Sequence, residues 1–397
     1  MSNLEKRTII LNTIFSFGSS LVSNFVSIYL FIYTKSIPMM CLYIICRIGM
    51  FPIFFIIGSK LVKKHPFTLT YTIGLSLITV ALIYALTGGP LFERNPYYVL
   101  IAATIIGCGE GFYYLSANTC NQIVSTVQSR STFLSYNGMF TNITSLLAPI
   151  YASILLSLNA DEMIGYRKML ITIIVVFIFV ICVALSMNKR SEDKDSHIHK
   201  ALSLKNDVQW KDHNLAVFFY GLRDGLGLNT VSILLYEAAG NGGVYSKLNI
   251  FFSLITIVTY RVIKRFLAKD KISMTFKIGV ALKTLGTYSL IFFPNVPGAI
   301  IYGISNAFAA VLYDNSYNYL SASIIGRYPN EMTARVVARE TYLSISRCSS
   351  MLFVLICYKL LPSSIYLKVA VFLLSLSTIP VERILLKYKQ WITPQAK

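Results

Sequence analysis

Long runs of hydrophobic residues alternate with short polar connectors along almost the whole chain. Each run is close to the roughly 20 residues that a helix needs to cross about 30 Å of hydrocarbon. The pattern predicts twelve transmembrane spans: 8–33, 39–59, 67–87, 97–124, 133–157 and 168–187 in the first half, and 214–236, 248–267, 273–293, 297–324, 341–361 and 364–386 in the second. The predicted fold class is therefore an all-α membrane protein with two pseudo-symmetric six-helix bundles.

Lys and Arg are concentrated on every second connector. The even connectors with the adjoining ends of their spans, together with the two tails, carry 25 of them, whereas the odd connectors with their adjoining span ends carry 7. Cytoplasmic loops retain basic residues because moving them across the bilayer is unfavourable, so this bias predicts that both termini are cytoplasmic. Lys6 and Arg7 precede an apolar run that is too long for a cleaved signal peptide. We therefore expect a retained first span and a bacterial inner-membrane location.

Composition supports the same class of protein. The 397 residues are 55% hydrophobic and only 13% charged, with a mean hydropathy of +0.61, which is too apolar for an ordinary soluble core. A formal net charge of +19 is typical of nucleic-acid binding. Here the basic residues flank apolar runs and form no stripe with stacking aromatics, so we expect no nucleic-acid partner. Contact with anionic membrane lipid is the expected consequence.

The chain divides near its middle. Its long polar connector separates pieces of nearly equal length, which indicates an internal duplication. Phe17-Gly18 and Tyr33 in the first span match Tyr220-Gly221 and Tyr236 in the seventh at a constant offset of 203 residues. The predicted domains are an N-terminal bundle at 1–187, a cytoplasmic central loop at 188–213 and a C-terminal bundle at 214–397.

Together these features resemble the major facilitator superfamily over essentially the whole chain. The family's loop between spans two and three combines glycines, an acid and several basic residues. Here it is Gly58-Ser59-Lys60-Leu61-Val62-Lys63-Lys64-His65, with Val62 at the acid position, and Ala148-Pro149 stands where proton-drug antiporters have Gly-Pro. The resemblance implies a secondary transporter that works as a monomer by alternating access, and it leaves the subfamily open.

Ionisable residues inside the spans are the strongest functional signal. A charge at the bilayer centre costs at least about 2.5 to 3.5 kcal/mol, so such residues face protein or water and commonly mark a substrate or proton pathway. Neighbouring polar and aromatic residues extend the candidate site. The predicted substrate- or proton-binding residues are Arg47, Glu110, Tyr114, Asn118, Arg223, Asp224, Lys283, Tyr313, Asp314, Tyr317 and Arg347.

The position of these residues predicts how they act. Glu110, Tyr114 and Asn118 lie on one helix face and form a polar stripe typical of a cavity wall. The alternative is that Glu110 only pairs with an embedded cation such as Arg47. Asp314 lies in the repeat-related tenth span, where we expect a corresponding wall.

Consecutive residues on a helix point about 100° apart. We therefore expect Arg223 and Asp224 to have separate partners, and either functional or purely structural pairs remain possible for both. Gly221 and Gly225 share one face of the same span and predict close helix packing, as do Gly107, Gly109 and Gly111 in span four. The glycines around Arg223 also make span seven a candidate for bending.

The sequence indicates no enzyme. It has no Gly-rich phosphate loop that ends in Gly-Lys-Ser/Thr, and no Ser/His/Asp or Cys/His arrangement is evident. His197-Ile198-His199 offers two metal ligands without a third, so we predict no metal site and no cofactor.

The predicted function is secondary active transport of a small organic solute, with protons as the coupling ion through Glu110, Asp224 or Asp314. Efflux is the preferred direction. One alternative is proton-coupled uptake of an anionic or zwitterionic metabolite, which the surplus of embedded cations favours. A second alternative, from another class, is a membrane receptor or scaffold that transports nothing.

Overall fold

The computed structural model describes residues 2–62, 65–124, 130–159, 161–186, 207–228, 230–263, 272–325 and 332–388. These ranges are almost entirely helical and contain no β-strand. They fold into two compact units. Unit 1 lies within Met1–Lys194 and Asn241–Lys247, and unit 2 lies within Asp195–Gly240 and Leu248–Lys397.

Unit 1 consists of long helices joined by short connectors. One π-helical turn, Val22–Val26, interrupts its first span. Its α-helices are α1 (Asn3–Leu21), α2 (Ser27–Thr34), α3 (Ile37–Val62), α4 (Phe67–Thr87), α5 (Gly89–Arg94), α6 (Val99–Val124), α7 (Arg130–Leu158) and α8 (Glu162–Leu185).

Unit 2 has a corresponding set of helices, and a π-helical turn at Ala310–Asp314 interrupts its tenth span. The α-helices are α9 (Val208–Leu228), α10 (Thr230–Ala239), α11 (Gly242–Ile263), α12 (Ile272–Phe292), α13 (Val296–Ala309), α14 (Asn315–Ile325), α15 (Met332–Leu360), α16 (Tyr366–Ser375) and α17 (Thr378–Leu386). Helix α11 belongs to unit 2 from Leu248 onwards.

Ten segments among the described residues are long and apolar enough to cross a membrane. The two other predicted spans, 214–236 and 273–293, coincide with α9–α10 and with α12. Charged residues make these helices more polar: Arg223 and Asp224 in α9, and Lys277 and Lys283 in α12. The protein is therefore a multi-pass membrane protein, and its helices are consistent with the predicted twelve.

Helix α8 illustrates how the spans are solvated. One face packs inside unit 1, with Met169, Ile173, Phe177 and Val180 buried. The opposite face exposes Ile171, Val175, Ile178 and Phe179, each about half exposed. Both faces are apolar because one is buried in protein and the other faces lipid. This explains why the helix has no polar side.

The predicted glycine contacts are confirmed. A Cβ atom on Gly109 would lie 2.7 Å from the carbonyl oxygen of Gly74, and one on Gly221 would lie 2.8 Å from the Cβ of Ser346. Gly107 packs as closely against the backbone of Arg47. These distances leave no room for a side chain, so the helix backbones approach each other directly.

The same glycine contact occurs in both units. In unit 1, a Cβ on Gly74 in α4 would lie 2.6 Å from the backbone nitrogen of Tyr113 in α6. In unit 2, a Cβ on Gly279 in α12 would lie 2.6 Å from the backbone nitrogen of Tyr313. The third and fourth spans of each half thus use matching glycine–tyrosine contacts, in agreement with an internal duplication.

Helix α9 begins earlier than the predicted span, which starts at residue 214. The side chain of Asp207 accepts a hydrogen bond from the backbone nitrogen of Trp210 at 2.9 Å, so the helix starts at Val208. His213, expected in a connector, is buried in this helix and bonds Ser321 through Nε2 at 2.8 Å. Most of the predicted central loop, including His197-Ile198-His199, lies outside the described residues.

Candidate functional site

A polar cavity of about 420 Å³ lies in unit 1. One side of its wall is formed by α1 and the following π-helical turn, and α6 and α7 contribute the rest. Polar residues recur every three or four positions in the first of these segments, so they share one helix face. The lining residues are Asn12, Phe15, Ser16, Ser19, Ser20, Ser23, Asn24, Tyr113, Tyr114, Ala117, Asn137 and Thr141. Every one of these side chains is uncharged, so the cavity offers hydrogen bonds and aromatic faces.

Helix α6 supplies the aromatic part of this wall. The ring of Tyr113 stacks on Phe15 with the centroids 3.7 Å apart, and its hydroxyl accepts a hydrogen bond from the Tyr71 hydroxyl at 3.2 Å. Tyr113 is buried, whereas Tyr114 is 37% exposed and lines the cavity. The predicted site residue Tyr114 is thus available to a ligand. Asn118 lies further along α6, and its side chain is outside the described residues.

The embedded charged residues Arg47 and Glu110 are not part of the lining of this cavity. Arg47 in α3 donates two hydrogen bonds to Glu110 in α6, from Nε to Oε2 at 2.9 Å and from Nη2 to Oε1 at 2.5 Å. Both side chains are largely buried, with exposures of 12% and 13%. Neither residue lines the cavity. The pairing anticipated as the alternative for Glu110 is therefore present, and it joins the second and fourth spans.

A second cavity, of about 230 Å³, lies in unit 2 and is strongly charged. Helices α9, α12 and α13 contribute to its wall, together with the π-helical turn that carries Tyr313 and Asp314. Such turns commonly occur at functional sites, because they reorient side chains within a helix. The lining residues are Tyr220, Arg223, Asp224, Gly227, Leu228, Lys283, Tyr302, Asn306, Tyr313 and Asp314.

An ion pair forms part of the wall of this second cavity. Lys283 Nζ lies 3.0 Å from Asp314 Oδ2, and the Tyr220 hydroxyl donates to Asp314 Oδ1 at 3.3 Å. Lys283 also lies 5.9 Å from the ring centroid of Tyr313. Because Asp314 is 25% exposed and the cavity is open to it, a proton or solute that enters the cavity can reach this carboxylate.

The second acid in the lining of the unit 2 cavity, Asp224, is paired across two helices. Arg347 in α15 donates to Asp224 in α9, from Nε at 2.7 Å. Arg223 points elsewhere and donates from Nη2 to Thr287 Oγ1 in α12 at 2.9 Å. The expectation that Arg223 and Asp224 have separate partners is confirmed.

Unit 2 therefore brings most of its predicted site residues together. Arg223, Asp224, Lys283, Tyr313 and Asp314 share one cavity. Arg347 joins them through Asp224. Tyr317 does not line the cavity; it is buried and stacks on Tyr220 with ring centroids 3.8 Å apart. It therefore contributes to the site by packing against Tyr220, which lines the cavity.

The polar stripe of unit 1 is not among the site residues predicted from the sequence. Asn12, Ser16, Ser20 and Ser23 are spaced by three or four residues, which is the signal that could have identified them. Serine and asparagine cost less free energy in a span than a charged residue does, so they give a weaker sequence signal than the ionisable residues.

Comparison with known proteins places this arrangement in a structural class. The chain shares its fold with solved membrane transporters over nearly its whole length. It superposes on the nucleoside transporter NupG with a TM-score of 0.73 and 11% identity, over 97% of this chain and 99% of that one. For the E. coli fucose:proton symporter FucP, the TM-score is 0.62 at 14% identity, over 98% of both chains.

Sequence comparison finds relatives at low identity. No family model matches the chain. It is 20% identical to the uncharacterized protein YqgE of Bacillus subtilis over 357 residues, which cover 89% of this chain and 82% of YqgE. A second relative, the uncharacterized protein in the sodM 3' region of Geobacillus stearothermophilus, is 29% identical over 143 residues, 36% of this chain and 65% of that protein.

Proposed function

We propose that the protein is a proton-coupled secondary transporter that moves a small organic solute across the membrane by alternating access. The fold supports transport. The observation that carries the proton coupling is the Lys283–Asp314 pair in the wall of the unit 2 cavity, at 3.0 Å. A carboxylate in that position can exchange a proton with the cavity and holds an embedded cation at the same time.

Protonation would change the balance of forces within unit 2. A proton on Asp314 neutralises the carboxylate and removes most of its attraction for Lys283. The lysine is then free to take another partner, which shifts the population between conformations that differ in this contact. Loss of the proton restores the pair. Glu110 and Asp224 are the other two carboxylates through which coupling could occur.

The direction of solute transport is the next question. Efflux follows the sequence prediction, while the neighbouring fucose:proton symporter supports uptake as the second candidate. We also propose that a monomer is sufficient and that both termini are in the bacterial cytoplasm. Fluorescent fusions that mature only in the cytoplasm test the orientation: fluorescence from both ends is expected, and a dark fusion at either end contradicts it.

The direct test uses purified protein in liposomes with an imposed pH gradient. The compounds named for the neighbouring structures provide the starting panel: nucleosides, peptides, 5-aminolevulinic acid and fucose. A thermal-stabilisation screen of a wider chemical library extends it. We expect at least one compound to move with the gradient, and reversing the gradient reports the direction. Binding without any flux would instead support a receptor or scaffold.

Three neutral variants then test the coupling residues: Glu110→Gln, Asp224→Asn and Asp314→Asn. We expect Asp314→Asn to lose gradient-driven flux and to retain exchange of substrate at equal pH. Glu93→Gln is the matched control, because Glu93 is an exposed acid outside the described spans. Normal gradient-driven flux in all three variants would refute proton coupling through these carboxylates.

A further inference from the structure

We infer that the unit 2 cavity binds an anionic group of the substrate, a carboxylate or a phosphate, and that Arg223 is its anchor. The inference rests on the proposed function only in taking this cavity as part of the substrate site. It narrows the solute from any small organic molecule to one that carries a negative charge.

Arg223 is a buried cation without an acidic partner. The residue is 3% exposed, and within the described ranges it takes part in no ion pair. Nη2 donates a hydrogen bond to Thr287 Oγ1, and the Nε hydrogen has no acceptor. This neutral partner leaves the positive charge of the guanidinium uncompensated by an ion pair.

The two acids of the cavity cannot supply that compensation. Asp224 is held by Arg347, and Asp314 is held by Lys283 and Tyr220. The embedded groups of the unit 2 site thus contain one more cation than anion. Leaving a buried charge unpaired is strongly unfavourable, so an anionic ligand in this cavity gains from an imbalance already present in the fold.

The surroundings of Arg223 suit a small anion. A guanidinium presents several N–H donors in a plane that matches the oxygens of carboxylate and phosphate. The hydroxyl of Tyr313, also in the lining, has no hydrogen-bond partner. Gly227 leaves space beside the guanidinium, since a Cβ there would lie 3.8 Å from Arg223 Nη1. At about 230 Å³, the cavity accommodates the charged end of a solute.

Matched ligand pairs test the inference by equilibrium binding to the purified protein. The probes are 5-aminolevulinic acid with its methyl ester, uridine monophosphate with uridine, and a set of small carboxylates each with its amide. We expect the charged member of at least one pair to bind ten times more tightly or better. Equal affinity within every pair, or no binding by any charged member, would overturn the inference.

Substitutions of Arg223 test whether this residue produces the preference for the charged ligand of each pair. Arg223→Gln should remove the preference for the charged member, while Arg223→Lys should retain part of it because the charge remains and the planar donors are lost. Arg94→Gln removes an exposed arginine from unit 1 and should leave the preference intact. A preference that survives Arg223→Gln would contradict the assignment.

A gain of charge provides a test that does not remove Arg223. Gly227→Asp places a carboxylate next to the guanidinium, where it competes with the ligand, and should weaken binding of the charged member at least tenfold. Gly227→Asn has the same size without the charge and measures the steric part of that loss. Equal losses in the two variants would argue against an anion site.

Failure of this inference can be separated from failure of the proposed function. Gradient-driven flux of an uncharged solute, with no charge preference in any pair, would overturn the anion site and leave transport intact. A clear charge preference lost in Arg223→Gln, with no flux under any gradient, would keep the binding site and reject transport.

Discussion

The two units repeat one architecture and place different chemistry in it. Both contain a matching glycine–tyrosine contact between their third and fourth spans, at Gly74–Tyr113 and Gly279–Tyr313. Unit 1 surrounds its cavity with uncharged side chains, and its Arg47–Glu110 ion pair is not in the lining. Unit 2 places four ionisable residues in its cavity wall, namely Arg223, Asp224, Lys283 and Asp314. The fold therefore fixes the packing of the helices, while the chemistry of each half is set by a few substituted positions.

The ion pairs show this difference most clearly. Arg47–Glu110 joins spans two and four through two hydrogen bonds and is not part of the cavity lining. Lys283–Asp314 joins spans nine and ten through one bond, at the cavity wall. We interpret the first pair as a structural cross-link and the second as an element that works during transport. Under the proposed function, we assign recognition of uncharged polar groups to unit 1 and proton exchange to unit 2.

The largest expected effect on stability follows from breaking the structural pair. Arg47→Gln leaves Glu110 buried without its cation, which costs about 3–5 kcal/mol in comparable buried pairs. We expect a clear drop in the unfolding temperature of the purified protein in detergent, measured by intrinsic fluorescence.

The double variant Arg47→Gln/Glu110→Gln is the control for that prediction. Removing both charges leaves two neutral groups that can bond each other, so most of the lost stability should return. If the double variant is as unstable as the single one, the pair does not act as a simple cross-link.

Smaller and equal losses are expected at the repeated glycine contact. Gly74→Ala and Gly279→Ala each force a methyl group against a tyrosine backbone, and overpacking of this kind costs about 1–3 kcal/mol. The measurement is again the unfolding temperature. Gly49→Ala is the matched control, because a Cβ there meets nothing within 4 Å. A loss at only one of the two sites would show that the halves are packed differently.

The smallest effect is expected at the polar stripe of unit 1. Ser20→Ala removes one hydroxyl from the cavity wall, and a net hydrogen bond contributes about 0.5–1.5 kcal/mol. Substrate affinity should therefore fall by a factor of roughly 2 to 12, as measured by equilibrium binding. Ser157→Ala, at an exposed serine near the end of α7, serves as the control. An unchanged affinity in Ser20→Ala would exclude this hydroxyl from the substrate site.

Much of the fold could be predicted from the sequence because lipid imposes simple rules. The predicted span 67–87 coincides with α4. In lipid, the backbone N–H and C=O groups of a long apolar run must be hydrogen-bonded to each other, and a helix does this within one segment. The two π-helical turns could not be predicted, because they depend on how neighbouring helices pack. The early start of α9 followed from a side-chain cap at Asp207 that hydropathy does not register.

The charged part of the candidate site could be predicted from the sequence. Arg223, Asp224, Lys283 and Asp314 stand out in apolar runs, and the structure places all four around one cavity. Their partners were not predictable, because pairing across helices depends on rotation of each helix about its axis. The uncharged stripe around Ser20 carries too small an energetic penalty to be noticed without its spacing.

Proton-driven transport by two charge-neutral double variants tests the central claim most directly. Arg47→Gln/Glu110→Gln removes the ion pair of unit 1, and Lys283→Gln/Asp314→Asn removes that of unit 2. In liposomes with an imposed pH gradient, the first should keep at least half of the normal flux, and the second should lose tenfold or more while it still exchanges substrate at equal pH. Loss of coupling in the first variant with normal coupling in the second would contradict the account.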